Sequence, residues 1–197
     1  MEFRLTYAGE LLSHRDDKRL AERSLHVHAI RKVFHQQLKS LWSKHPTLAA
    51  YVSYFGAQGK DPMKIFRHAG FNWLPLATQA NGLICKIELL MLREGRPGRA
   101  LSDIDNKLKT VFDALKKARD PQELGLGSSQ GQQIPAPDED PLHVVLEGDS
   151  LITHIAVTTD TLLEPVPNIP IDTAARLVIS VSLRPYKTSQ DNLDFVS

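Results

Sequence analysis

Apolar and polar residues follow two different periods along the chain, and the shorter period predicts strands. Residues 3–7 alternate between apolar and polar, which is the pattern of a half-buried strand. Apolar runs at residues 83–92, 151–159 and 175–183 predict three longer strands, and residues 71–76 form a shorter extended piece. The chain is therefore expected to build a β-sheet.

The longer period is helical. From about residue 17 to residue 44, apolar residues recur every three or four positions, which predicts a long N-terminal amphipathic helix ending near Pro46. Residues 48–55 fit either a short helix or a strand. A further helix is expected over residues 104–119, and its core-facing stripe consists of Ile104, Leu108, Val111 and Leu115.

Basic residues occupy the polar side of the long N-terminal helix. They are consistent with either a solvated surface or a surface that contacts phosphates. These residues are Lys18, Arg19, Arg23, Arg31, Lys32, Lys39 and Lys44.

The order of these elements predicts an α/β (α+β) fold, with a small mixed β-sheet packed against helices. A length of 197 residues suits a single domain. Residues 120–142 are rich in Pro, Gly, Ser, Gln and acidic side chains, which predicts a flexible insertion. Residues 187–197 are expected to form a C-terminal tail.

The composition excludes several classes of protein. The formal net charge is +1, so a nucleic-acid partner would require a local basic surface. The single cysteine, Cys85, rules out an internal disulfide and a cysteine metal site, and it is expected to be a buried, inert thiol. No apolar stretch approaches the ~20 residues that span a bilayer, and the first residues lack a signal-peptide profile. A cytoplasmic protein without membrane contact is expected.

Candidate chemistry is concentrated where the 104–119 helix begins. Asp103 and Asp105 stand two residues apart, and Lys109 follows one turn after Asp105. Residues that are two apart in a helix point about 200° away from each other around the axis. The carboxylates of Asp103 and Asp105 therefore converge only if Asp103 lies at or before the N-cap. Converging carboxylates are typical ligands of Mg²⁺, and a nearby lysine suits a phosphate oxygen.

A structural interpretation of the same residues stays open. Ser102 and Asp105 match the spacing of a capping box, and acidic residues are favoured in the first turn of a helix. Asp105 and Lys109 also have the spacing of an i,i+4 ion pair.

Other kinds of metal, phosphate-binding or catalytic site fit this sequence poorly. A calcium-binding EF-hand that starts at Asp103 would need glycine and glutamate where Leu108 and Ala114 stand. No phosphate-binding glycine loop or nucleophile elbow is present. His26 and His28 would point to opposite sides of a helix, which argues against a histidine zinc site.

The motif resembles the signature of the RusA-type Holliday junction resolvases. That signature is Asp-hydrophobic-Asp-Asn, a lysine four residues after the second Asp, and then Asp-Ala-Leu, which matches residues 103–115. A second family segment, a turn with paired acids before a strand, is similar to residues 146–155, and Asp149 takes the place of the third essential acid.

The resemblance implies a Mg²⁺- or Mn²⁺-dependent endonuclease that acts as a homodimer on branched DNA such as Holliday junctions. It implies that Asp103, Asp105 and Asp149 bind the metal and that Lys109 is a catalytic or phosphate-contacting lysine. Three arginines flank the motif in sequence and are either DNA contacts or solvated loop residues: Arg93, Arg96 and Arg99.

The chain departs from the family in the segment that joins its two motifs. About thirty residues intervene where the family has a few, and Glu147-Gly148-Asp149 replaces the paired acids, which makes Glu147 an alternative ligand. Two other functions are therefore considered: a non-catalytic DNA-binding protein on the same fold, and a metal-dependent phosphoesterase with other substrates.

Overall fold

The structure is a computed structural model, and it describes residues 1–13, 20–57, 65–94, 104–124 and 135–196. The predicted start of the long helix near residue 17 and the centre of the predicted insertion lie outside these ranges. In the described part of the chain, no helix combines the length and apolarity needed to cross a bilayer.

Three α-helices, seven strands and several short 3₁₀ helices make up the described fold. The helices are α1 (Leu20–Lys44), α2 (Pro46–Ala57) and α3 (Ile104–Leu115). The strands are β1 (Glu2–Glu10), β2 (Phe66–His68), β3 (Phe71–Ala77), β4 (Leu83–Arg93), β5 (Leu142–Leu146), β6 (Ile152–Thr161) and β7 (Ala174–Pro185).

These strands form two mixed sheets. The larger sheet has the order β1-β7-β4-β6, in which β7 is antiparallel to both neighbours and β6 runs parallel to β4. The smaller sheet has the order β2-β3-β5, with β3 and β5 parallel. Helix α1 packs against β5 and α3. The predicted α+β class with a mixed sheet is confirmed.

The core follows the alternation of the central strands. Every second residue of β4, from Leu83 to Met91, is at most 2% exposed, and every second residue of β7 from Ala175 is buried beside it. Cys85 belongs to this buried row, as predicted, and burial raises the pKa of its thiol to about 12.

Two predictions about the helices were wrong. Arg31 was assigned to the polar surface of α1 but is fully buried, whereas the apolar Val33 is 43% exposed. The third helix ends at Leu115 rather than at residue 119, and Ile104, at its exposed start, is 36% accessible rather than part of the core. The 48–55 ambiguity is resolved, because these residues belong to α2.

One segment without a predicted element and the predicted tail both contribute to the packing. Residues 142–146, adjoining the predicted insertion, form the fully buried strand β5. The C-terminal residues predicted as a tail fold back so that Phe195 is 2% exposed and its ring lies 5.4 Å from that of Tyr51 on α2.

Candidate functional site

A groove of about 650 Å³ lies between α3 and β6. One face of α3 lines it, because Asp105, Lys109 and Phe112 are spaced three or four residues apart. On the opposite side is Ile155 of β6, which pairs with the core residue Ile87 of β4 and so faces the same side of the sheet. Apolar side chains from both elements therefore share the groove with charged ones.

The charges of the described groove residues almost cancel. Four cationic side chains and five acidic ones contribute, which leaves one formal negative charge. The cations are Arg23, Lys109, Lys116 and Arg119, and the acids are Asp105, Asp113, Asp120, Glu123 and Asp149.

Three of the predicted site residues line this groove. Asp105, in the first turn of α3, and Lys109 lie on the face of the helix that lines it. Asp149 approaches from the turn before β6, although it is 44 residues from Asp105 in sequence.

The other predicted site residues are not placed in the groove. Asp103, Arg96 and Arg99 lie outside the described residues. Arg93 ends β4 and is not among the residues that line the groove. Burial, and then the charge of Arg93, lower the pKa of Lys107, which lies half a turn around α3 from Asp105.

Two cations hold the carboxylate of Asp149. Lys116 Nζ donates to Asp149 Oδ2 at 3.2 Å, and Arg119 Nη2 lies 2.8 Å from Oδ1 and 2.9 Å from Oδ2. Burial acts to raise the pKa of Asp149, but the hydrogen bond and charge of Lys116 and the charge of Arg119 outweigh it. The pKa of Asp149 therefore lies below its ordinary value.

Lys116 is almost buried, with 5% of its side chain exposed. A lysine in that position needs acidic partners, and it has two, because Nζ also lies 2.8 Å from Oδ1 of Asp113. Asp113 in turn lies 3.9 Å from Arg23 of α1. These contacts connect α1, α3 and the turn before β6 through charged side chains.

Arg31 of α1 caps the end of α3. The last carbonyls of a helix lack intrahelical donors. Here Nη2 of Arg31 donates to Asp113 O at 2.6 Å and Nε donates to Lys116 O at 3.1 Å. After Leu115 the chain forms a parallel bridge between Lys116 and the end of β5 instead of another helical turn. The extended segment that follows brings Arg119 to Asp149.

The alternative ligand Glu147 has a different role. Its Oε2 accepts a hydrogen bond of 3.0 Å from the backbone N–H of Gln79, and its own N–H donates to Ala77 O. Glu147 does not line the groove. Its contacts hold the turn between β3 and β4 against the end of β5.

The donor chemistry of the groove suits a hard divalent cation. The carboxylates of Asp105 and Asp149 are oxygen ligands of the kind that Mg²⁺ and Mn²⁺ take. Within the part of the chain that the structure describes, the hydrogen-bond partner of Asp149 Oδ1 is Arg119, an exposed side chain. Among the described residues no group of three or more metal-ligating side chains was found, so any third protein ligand would have to come from outside them.

Comparisons with protein-family models, with curated proteins and with solved structures find no match for this chain.

Sequence reasoning missed the groove residues after the motif. Asp105, Lys109, Asp113 and Lys116 follow one another at intervals of four, four and three, so acids and bases alternate along one face of α3. That spacing is a signal that could have identified Lys116. Arg119 carries no comparable signal, because its position depends on where the helix ends.

Proposed function

We propose that this protein is a Mg²⁺- or Mn²⁺-dependent endonuclease of the RusA type that cleaves branched DNA. One observation supports the proposal above the others: Asp105, Lys109 and Asp149, selected from two separate motifs, line the same groove. A purely structural explanation of the motif, as a helix start with an ion pair, does not require Asp149 to lie there.

The proposed roles follow from the chemistry of each side chain. Asp105 and Asp149 would hold the metal, with Asp103 as the third ligand by resemblance. When bound, the metal would activate water and neutralise charge at the scissile phosphate. The exposed Lys109 would contact a phosphate oxygen, because its ammonium lies on the same helix face as Asp105.

The charge balance of the groove also favours a metal. The described lining has one net negative charge, so a DNA phosphate would be repelled by an empty groove. A divalent cation would reverse that sign and make the groove attractive to phosphate.

Asp105→Asn tests the proposal. Loss of a metal-binding carboxylate should lower cleavage of a synthetic four-way junction in Mg²⁺ by at least about 100-fold. Because Asp105 is exposed in the first turn of α3, the variant should still fold, which thermal unfolding checks.

The matched control for this test is Asp160→Asn. It makes the same change at an exposed residue of β6 that does not line the groove, and it should cleave normally. Normal cleavage by the Asp105→Asn protein would refute the assignment.

A second function is favoured by the contacts of Asp149. Since Lys116 and Arg119 already pair with its carboxylate, Asp149 could be a structural residue, and the protein would then bind DNA outside the groove, without a metal and without cleavage. Titration with Mn²⁺ separates the two functions, because the non-catalytic protein would show no saturable binding at millimolar Mn²⁺.

The expected homodimer and the expected cytoplasmic location stay predictions that rest on the family resemblance and on the sequence.

A further inference from the structure

The two cations on Asp149 are held very differently. Lys116 has 5% of its side chain exposed, whereas Arg119 has 62% exposed. Both lie within hydrogen-bonding distance of the same carboxylate. If Asp149 is to bind a metal ion, one of these two cations has to move away from its carboxylate. The exposed Arg119 can do so more easily than the nearly buried Lys116.

Both the side chain and the backbone of Lys116 are held by contacts. Its ammonium is shared between Asp113 at 2.8 Å and Asp149 at 3.2 Å. Its backbone carbonyl accepts a hydrogen bond from the buried Arg31, and its backbone bridges to Leu146 at the end of β5. Lys116 therefore sets the orientation of Asp149 by holding Oδ2.

Arg119 is attached through one nitrogen. Nη2 alone approaches both carboxylate oxygens, and within the described residues Nε and Nη1 of Arg119 have no hydrogen-bond partner. An exposed pair of this kind is weak and easily exchanged. The remaining nitrogens leave the guanidinium able to make a bidentate contact with a phosphate.

We propose that Arg119 is an exchangeable partner of Asp149, which it releases when a divalent cation binds, and that it then contacts a phosphate of the DNA. This inference rests on the proposed function, because it assumes that the groove takes both a metal and a phosphate. Lys116 remains in place as a positioning residue. Arg119 thus competes with the metal for Asp149 and cooperates with it in binding DNA.

The competition between Arg119 and the metal is tested by isothermal titration calorimetry of the protein with Mn²⁺ alone. Arg119→Gln should bind Mn²⁺ about three- to tenfold more tightly than the unaltered protein, because the cation no longer displaces a guanidinium. In the Asp149→Asn background the same change should have little effect, since the shared ligand is gone. Arg4→Gln removes one positive charge from β1, on the opposite edge of the sheet from β6, and should leave the Mn²⁺ affinity unchanged.

The contact with phosphate is tested with a fluorescent four-way junction in the presence of Ca²⁺. Arg119→Gln should weaken binding several-fold and reduce the slope of log affinity against log salt by about one. Thermal unfolding of each variant shows whether a change in affinity reflects a loss of folding.

If Arg119→Gln binds Mn²⁺ no more tightly than the unaltered protein, Arg119 does not compete with the metal for Asp149. The same conclusion follows if Mn²⁺ affinity rises equally when Arg119→Gln is made in the Asp149→Asn background, or rises equally in Arg4→Gln. Unchanged DNA binding would overturn the contact with phosphate. If Asp105→Asn still abolishes Mn²⁺ binding in either case, the proposed function stands without this role for Arg119. If neither the unaltered protein nor Arg119→Gln binds Mn²⁺, both proposals fail.

Discussion

Replacing Arg31 with methionine should destabilise the fold, even though the change removes a buried charge. Burial lowers the pKa of Arg31 to about 10, against the opposing charges of Glu123 and Asp113. Relative to the ordinary value of 12.5, that corresponds to an electrostatic cost of about 3 kcal/mol, which methionine would relieve.

The contacts that methionine loses outweigh this relief. The buried carbonyl of Lys116 and the partly buried carbonyl of Asp113 would lose the donors that Arg31 supplies, at about 2 kcal/mol each. The guanidinium also lies 5.4 Å from the ring centroid of Trp73, a contact that contributes about 1–2 kcal/mol. The net loss is about 2–3 kcal/mol, or a decrease in Tm of about 5–10 °C for a chain of this length.

Urea denaturation followed by circular dichroism measures the change. Arg67→Met is the matched control, because Arg67 is exposed on β2, and its free energy of unfolding should stay within about 0.5 kcal/mol of the original. Arg31→Lys keeps the charge but lacks the fork that reaches two carbonyls, so it should destabilise at least as much as methionine. A lysine variant of normal stability, or a methionine variant within about 0.5 kcal/mol, would refute this account of Arg31.

Two further predictions concern stability. Lys116→Met leaves Asp113 and Asp149 without their shared partner and should lower the free energy of unfolding by about 2 kcal/mol, and the Asp113→Asn change should cost less in that background than in the original protein. Burial, assisted by neighbouring positive charge, lowers the pKa of His28 to about 3 and that of His143 to about 4, so the folded state resists protonation that the unfolded chain accepts near 6.5. Stability should fall as the pH drops from about 6.5 towards 4, by roughly 2 kcal/mol per histidine at pH 5, and His143→Gln should reduce this dependence in urea titrations at pH 7.5 and 5.0. Equal stability at the two pH values would contradict this explanation.

The strands that could be predicted are those with one strong local signal. The long apolar runs of β4, β6 and β7 were predicted within two residues at each end. Strand β5 was missed because all five of its residues are buried, so it shows no alternation, and it adjoins a polar, proline-rich segment. Strand β2 is only three residues long and carries too little pattern to be recognised.

The burial of Arg31 shows the limit of periodicity in a helix. A pattern of apolar and polar residues assigns every arginine to the surface, and for most positions that rule is sound. Arg31 breaks it because the end of α3 presents carbonyl groups that need donors, and a guanidinium supplies several in a fixed geometry. That requirement comes from a helix end 85 residues away in sequence, so no local window contains it.

Contacts between residues far apart in sequence also limited the prediction of the functional site. Asp105, Lys109 and Asp149 could be selected because each belongs to a short motif whose chemistry is visible locally. Arg119 could not, because a helix that continued beyond Leu115 would have carried it away from the turn that holds Asp149. Arg31 caps this helix end, the chain then bridges to Leu146 at the end of β5, and Arg119 reaches Asp149. The Asp149 site therefore depends on a buried arginine that contacts none of its carboxylate oxygens, and a substitution there should disturb the groove as well as the fold.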